Sequence, residues 1–462
     1  MADINHINHS IYPRAHTSMY VWHKYWARKT WNVVGEYIET YCSKDCIVLD
    51  PFSGSGVVGI EAVKRGRRAI SIDLNPAACN IQRITLSPVD LQTLFNIFKD
   101  IEAYVKRDIE NLYLTKCKHC GKNIVPKAFV HNLIDDTIEY RLRKCPHCEE
   151  VCASGCLLDN DDLSRLDTIN KTKIEYWYPD LEMIYPNGKP FVKREHYKKI
   201  SDLFTHRNLL AVAMLYDAIN SLNPRYRKFF MAAFTSMIHL TTRMMPVCEP
   251  SPTHHSTPYS SPGWTTHSFV HASRYFMEQN VWDKFRSSII GHQGLINGLS
   301  DAQRTIAGVR ISDSWIDVFD GKADIAIVQG DSISELKAFP QCSVDYCFTD
   351  PPYVNSIQYG ELSLLWNSWL KTDPDYINSI YAQEIIENDN QGKDQETYFS
   401  LLANTFRDLY RILKPDAFLT LTFHNPTFNV RDSLIKNVRY SGFNFEKIHH
   451  QPSARFSAKS LL

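Results

Sequence analysis

The most legible feature of the chain is a short apolar run that ends on an acid, Ile47-Val48-Leu49 and then Asp50. Its β-branched residues, without a helical period, read as a buried strand. A glycine-punctuated turn follows, Pro51-Phe52-Ser53-Gly54-Ser55-Gly56, and then a helical stretch from Val57 to Arg65. A second strand, Ala69-Ile70-Ser71-Ile72, also ends on an acid, Asp73. Strand, helix and strand at this spacing form the βαβ unit from which parallel sheets are built.

The alternation breaks off after Asp73 and resumes at Asp324 to Val328, Val344 to Phe348 and Phe418 to Phe423. A helix-patterned segment from Tyr398 to Leu413 precedes the last of these, and Lys414-Pro415 stops it. The pattern predicts an α/β fold with one doubly wound, mostly parallel sheet, interrupted by an insertion. The division expected is a first core part over 1–85, an inserted region over 86–300 and a second core part over 301–462. Inside the insertion, Asp202 to Leu222 and Tyr226 to Met244 predict helices. Pro246 to Thr266, crowded with Pro, Ser, Thr and His, predicts a long loop.

A chain of 462 residues with 44% hydrophobic content exceeds the usual single core, in keeping with an insertion. Charge changes the picture only locally. The totals cancel, 51 basic against 51 acidic residues, so bulk electrostatics gives no reason to expect a polyanion partner. Between Lys189 and Lys228, however, nine basic residues face three acids, while from residue 301 onward 15 face 21. The N-terminus lacks a secretory pattern and no apolar run approaches the ~20 residues that cross a bilayer. A cytoplasmic protein without membrane association is expected, whose cysteines are metal ligands and buried thiols rather than disulfides.

Four of the twelve cysteines form two C-x-x-C pairs, Cys117/Cys120 and Cys145/Cys148. Four thiolates at this spacing can close a tetrahedral shell around a structural Zn²⁺, and Gly121 suits the turn after the first pair. The module spans about residues 115 to 158. Cys152 and Cys156 leave the ligand set open, since either could replace Cys148. Cys42, Cys46, Cys79, Cys248, Cys342 and Cys347 read as packing residues.

The strand ends carry the chemistry. Asp50 to Gly56 lies where an open α/β sheet binds its ligand, and Asp73, on the next strand, is placed to accept from ribose hydroxyls. Asp350-Pro351-Pro352-Tyr353 follows the strand Val344 to Phe348. Two prolines remove two amide donors, leaving the Asp350 carboxylate and the Pro351 carbonyl as acceptors, with Tyr353 offering a ring face. That set suits an exocyclic amine, whose delocalised lone pair makes it a poor nucleophile until its N–H bonds are gripped.

These two motifs, DPFxGxG at 50–56 and DPPY at 350–353, resemble those of the S-adenosylmethionine-dependent DNA amino-methyltransferases. The resemblance implies a Rossmann-like class I methyltransferase core. It also implies that Asp50, Phe52, Gly54 and Gly56 surround the methionine moiety, that Asp73 binds the ribose and that Asp331 reaches the cofactor adenine. Asp350, Pro351, Pro352 and Tyr353 would be catalytic. Target recognition would lie in the insertion, as in the arrangement where the cofactor motif comes first. His23 to Arg28 (HKYWAR), Phe204 to Leu210 and Gln358 to Ser363, with the cysteine pairs, make the chain similar to adenine-specific methylases that contain a zinc ribbon. HKYWAR would close over the methionine end of the cofactor.

The implied reaction is methyl transfer to N6 of a flipped-out adenine in double-stranded DNA. The alternatives are cytosine N4, RNA guanine N2 and a non-catalytic DNA-binding subunit. Any restriction or defence-system partner would be a separate chain. The helix around Arg207 and the loop bearing His254, His255, Trp264 and His267 are the candidates for DNA contact.

Overall fold

The structure is a computed structural model that describes residues 6–142, 144–150, 152–191, 196–245, 247, 269, 274–306 and 308–452. Six strands form its large sheet: β1 Ile47–Asp50, β2 Arg68–Asp73, β3 Ile311–Ser312, β4 Ile325–Gln329, β5 Val344–Thr349 and β6 Leu413–Leu421. They are parallel throughout, in the order β6-β5-β1-β2-β4-β3. β1 and β5 are therefore neighbours, although the chain leaves β1 toward β2 on the other side. An open sheet has its crevice at such a reversal, outside the carboxyl ends of the strands.

Apolar side chains alternate to the two faces of these strands, and both faces are covered. On one side Leu49, Ile70, Ile72, Val328 and Cys347 pack with Leu402, Phe406 and Leu409 of helix Gln395–Ile412. On the other, Val48, Ala69, Ile325, Ile327, Tyr346 and Phe348 pack with Ile38 of helix Trp31–Tyr41 and Ile60 of helix Val57–Lys64. This double burial is why the strands read as continuous apolar runs.

β6 starts at Leu413, earlier than the sequence pattern places it, and helix Gln395–Ile412 runs directly into it. Val344 opposes Leu413, but Tyr346 opposes Phe418. Lys414-Pro415 thus belongs to a bulged strand entry, where Asp416 adopts φ 62°. The two insertion helices occupy His206–Asn220 and Pro224–Ile238, and a short 3₁₀ turn, His239–Thr241, ends the second.

Helix Leu91–Asn111 leads into the inserted region and buries Leu94, Phe98, Ile101, Val105 and Ile109, one stripe at helical spacing. The cysteine module follows, and strands Ala128–Asn132, Thr137–Leu142 and Cys152–Leu157 form an antiparallel sheet. Its fourth strand, Tyr275–Gln279, comes from far downstream and pairs with Ala128–Asn132. Helix Tyr359–Trp369 joins this region to the large sheet, with Trp366 and Trp369 buried among residues of the insertion. Among the described residues no helix is long and apolar enough to cross a membrane.

Two cysteine pairs are joined, against the expectation of free thiols. Cys42 bonds to Cys46 and Cys152 to Cys156, with Cα separations of 6.2 and 6.1 Å, inside the usual range for a bridge. Cys342 is exposed, whereas Cys79 and Cys347 are buried free thiols. Cys248 lies outside the described residues.

Candidate functional site

The parallel register sets the site. Asp50 opposes Ser71 across β1 and β2, and Asp73 opposes Gln329 across β2 and β4. The carboxyl ends of β1, β2, β4 and β5 therefore share one edge, with Asp331 and Asp350 just beyond the last two. A cavity opens there, in the crevice where an open α/β sheet binds its ligand. Asp50, Phe52, Gly54, Asp73, Asp331, Asp350 and Pro352 line it. The structure thus brings both motif segments to one cavity. Gly56, Pro351 and Tyr353 are adjacent in sequence to lining residues and are not themselves part of the lining.

The glycine turn is shaped by close approach. Gly54 has φ 51°, and a Cβ there would lie 2.8 Å from the Tyr25 ring; Gly56 has φ 82°, and its Cβ would strike Gln82. Gln82 Nε2 donates to Ser53 Oγ and to the Gly54 carbonyl, both at 2.8 Å. The Gly54 amide donates to Asp73 Oδ2 at 2.6 Å, and the Asn75 amide to Asp73 Oδ1 at 2.8 Å. Asp73 is thus fixed by two backbone donors, yet burial pushes its carboxyl up to about 6.

Asp50 is buried, and its Oδ1 accepts from the Phe52 amide at 3.1 Å and from Thr349 Oγ1 at 2.9 Å. That second bond ties the end of β1 to the end of β5. Burial raises the Asp50 carboxyl to about 7. Asp331 caps helix Ser332–Ala338, accepting from the amides of Ile333 and Ser334.

Asp350 is more heavily engaged than the sequence predicts. Its Oδ1 accepts from Thr422 Oγ1 at 2.6 Å and from the Tyr353 hydroxyl, and its Oδ2 pairs with Lys29 Nζ at 2.7 Å. The expectation of a free outward acceptor is therefore corrected: three donors converge on this carboxylate. Tyr398 donates to the Pro352 carbonyl at 2.6 Å, and the Tyr353 ring packs edge-on against Phe423. Val354, the next residue, has φ 53°, a strained conformation for a β-branched residue and a common mark of functional segments.

The HKYWAR segment contributes a wall, since Tyr25, Trp26, Ala27 and Arg28 line the cavity together with Lys29. Arg28 anchors it, donating to Ser55 Oγ at 2.9 Å and to the carbonyls of His23 and Tyr20. Sequence reasoning missed Lys29, Thr422, Gln82 and Glu384. Thr422 had a signal, because it follows a strand that ends at the same edge as Asp350. Glu384 had none: it borders the cavity, where its side chain accepts from the Gly360 amide at 3.1 Å, and burial raises it to about 7.

The cysteine module forms a second candidate centre. Sulfur atoms of Cys117, Cys120, Cys145 and Cys148 all lie within 4.8 Å of one another. Cys117 is 3.8 Å from Cys148 and Cys120 is 3.9 Å from Cys145. A tetrahedron with Zn–S bonds of about 2.3 Å has edges of roughly 3.8 Å, so the donor set fits zinc. The two knuckles are built alike. Gly121 (φ 72°) donates to the Cys117 carbonyl, and Glu149 (φ 65°) to that of Cys145. Cys152 and Cys156 bond to each other and stand outside the cluster.

Arg207 is not available for DNA contact. It is 3% exposed, donates to Glu278 Oε1 at 2.9 Å and lies 4.0 Å over the Phe129 ring. Its charge is used inside the insertion, where it holds Glu278 well below the usual carboxylate range despite burial. His254, His255, Trp264 and His267 lie outside the described residues.

The edge of this sheet, with acids at or just beyond the carboxyl ends of β1, β2, β4 and β5 and a glycine turn between β1 and its helix, is compatible with a Rossmann-like fold. Residues 3–83 match the N6_N4_Mtase family model, described as DNA methylase. The chain is also similar to the Type II methyltransferase M.MjaII of Methanocaldococcus jannaschii, with 28% identity over 117 residues. That stretch covers 25% of this chain and 20% of the relative's length. No solved structure matches the chain.

Proposed function

We propose that the protein is a DNA methyltransferase that uses S-adenosylmethionine to methylate N6 of adenine. One observation carries the reading: the DPFxGxG turn after β1 and the DPPY segment after β5 border a single cavity at the reversal of strand order. The family match covers the half of the site that holds the turn and Asp73. The lining suits such a cofactor, because the carboxylates of Asp73 and Asp331 are acceptors for hydroxyl and amine groups. The bound cofactor would supply an electrophilic methyl group.

Asp73 would accept from the ribose hydroxyls, its carboxylate held in place by the Gly54 and Asn75 amides. Asp50, Phe52, Gly54 and Gly56 would shape the methionine end, and Asp331 the adenine end. The target base would leave the duplex to reach the cavity, since its amine is out of reach within the helix. Asp350 would grip the amine N–H and orient the nitrogen toward the methyl group that the bound cofactor would supply. The proton shed by the nitrogen passes to Asp350 and then to water. Tyr353 and Thr422 hold Asp350 in position for this task, a preorganisation that favours the transition state over the ground state. The four clustered cysteines would hold a structural Zn²⁺.

Incubation with methyl-labelled S-adenosylmethionine and unmethylated DNA, followed by digestion to nucleosides, tests the reading. Label in N6-methyladenine is expected. Label in N4-methylcytosine would move the target to the other exocyclic amine, and label only in RNA would overturn the substrate class.

A further inference from the structure

Lys29 occupies the place that the proposed mechanism reserves for the target amine. Its ammonium lies 2.7 Å from Asp350 Oδ2, 2.8 Å from the Tyr353 hydroxyl and 5.2 Å from the Tyr353 ring centroid. Thr422 and Tyr353 already fill Oδ1. The nitrogen of Lys29 and the nitrogen of an entering base would thus compete for one oxygen of Asp350. We infer that Lys29 is a removable plug of the amine subsite, and that base entry requires its ammonium to leave Asp350.

The chemistry demands departure and not only access. The attacking nitrogen becomes positive in the transition state, and an ammonium kept beside it would oppose that charge. The segment is built so that only the tip need move. Arg28 is pinned to Ser55, Tyr20 and His23, and Ala27 turns the backbone at φ 52°. Lys29 itself is 27% exposed, with a flexible four-carbon stem that can carry its charge into solvent.

A plug weakens apparent binding by the fraction of molecules in which it is seated. Its removal therefore has the opposite sign from the loss of a lysine that touches phosphate, which weakens DNA binding. Lys29 acts through Asp350 and is a positioning residue; the inference rests on the amine-methylating reading.

The test measures DNA affinity by filter binding, together with kcat and KM, on PCR-amplified, unmethylated bacterial genomic DNA with the full-length protein. Lys29→Met, with Lys29→Gln as a second variant, is expected to lower both the DNA Kd and its KM by about three- to ten-fold. Lys29→Arg, which keeps the cation, should behave as wild type. Weaker DNA binding by the neutral variants would make Lys29 a phosphate contact and overturn the plug. A fall in kcat at unchanged KM would make it a support for chemistry and overturn it equally. The Kd is read whether or not methyl is transferred. Tighter binding by variants of a protein that methylates no DNA would therefore refute the proposed reaction, and unchanged binding by variants of a protein that does methylate DNA would refute the plug alone.

Discussion

At Asp50 burial and charge are opposed. Its Oδ1 ties β1 to β5 through Thr349, and burial raises its carboxyl to about 7. A carboxyl raised in the folded state contributes stability that is fully present below the unfolded value near 4. That contribution is lost as pH rises through about 7. Asp50→Asn keeps the Oδ1 acceptor and removes the titration. Its stability relative to wild type should therefore rise between pH 5 and 8, by on the order of 2 kcal/mol in urea unfolding. A difference that does not change with pH would refute this account of Asp50. At this scale Asp50, Gly54, Asp73 and Asp350 were legible because each follows a strand that can be read from its apolar run. Lys29 was not, although it directly follows the quoted HKYWAR: nothing local tells a lysine that folds onto an acid over 300 residues away from one in solvent.

At the scale of elements, the cysteine knuckles are the clearest case of sequence dictating structure. The strands flanking the first knuckle, Thr115–Lys116 and Asn123–Ile124, are two residues each, so a bound ion would supply what so small a unit cannot bury. The purified protein should carry one zinc per chain by elemental analysis. Chelation should speed amide exchange across residues 115 to 158 by at least about ten-fold while β1, β2 and β5 keep their protection. A metal-free protein with unchanged exchange would refute the zinc assignment. The spacing alone left Cys152 and Cys156 open, since only the fold shows them bonded to each other. The start of β6 was misread for a related reason: Lys414-Pro415 is a helix stop in any sequence rule, but a bulge lets it enter a strand without a ladder bond. Arg207 likewise looked like surface charge in a basic stretch, while Glu278, contributed by a strand far downstream, draws it into the interior.

For the whole molecule, strand order is what turns separate motifs into one site. The βαβ pattern indicated a parallel sheet, and its order puts β1 beside β5, joining residues 50 and 350 across the insertion. The closure of the antiparallel sheet by Tyr275–Gln279 was invisible, because five residues with no turn partner nearby carry no record of where they pair. Within the shared cavity the proposed roles divide, cofactor binding falling to Asp73 and the amine to Asp350. Calorimetric titration of S-adenosylmethionine into Asp350→Ala and Asp73→Ala, alongside the labelled-methyl assay on the same samples, reads that division directly. Asp350→Ala should bind the cofactor as wild type does and lose at least about a hundred-fold in transfer, whereas Asp73→Ala should lose cofactor affinity. Methyl transfer surviving in Asp350→Ala would contradict the account.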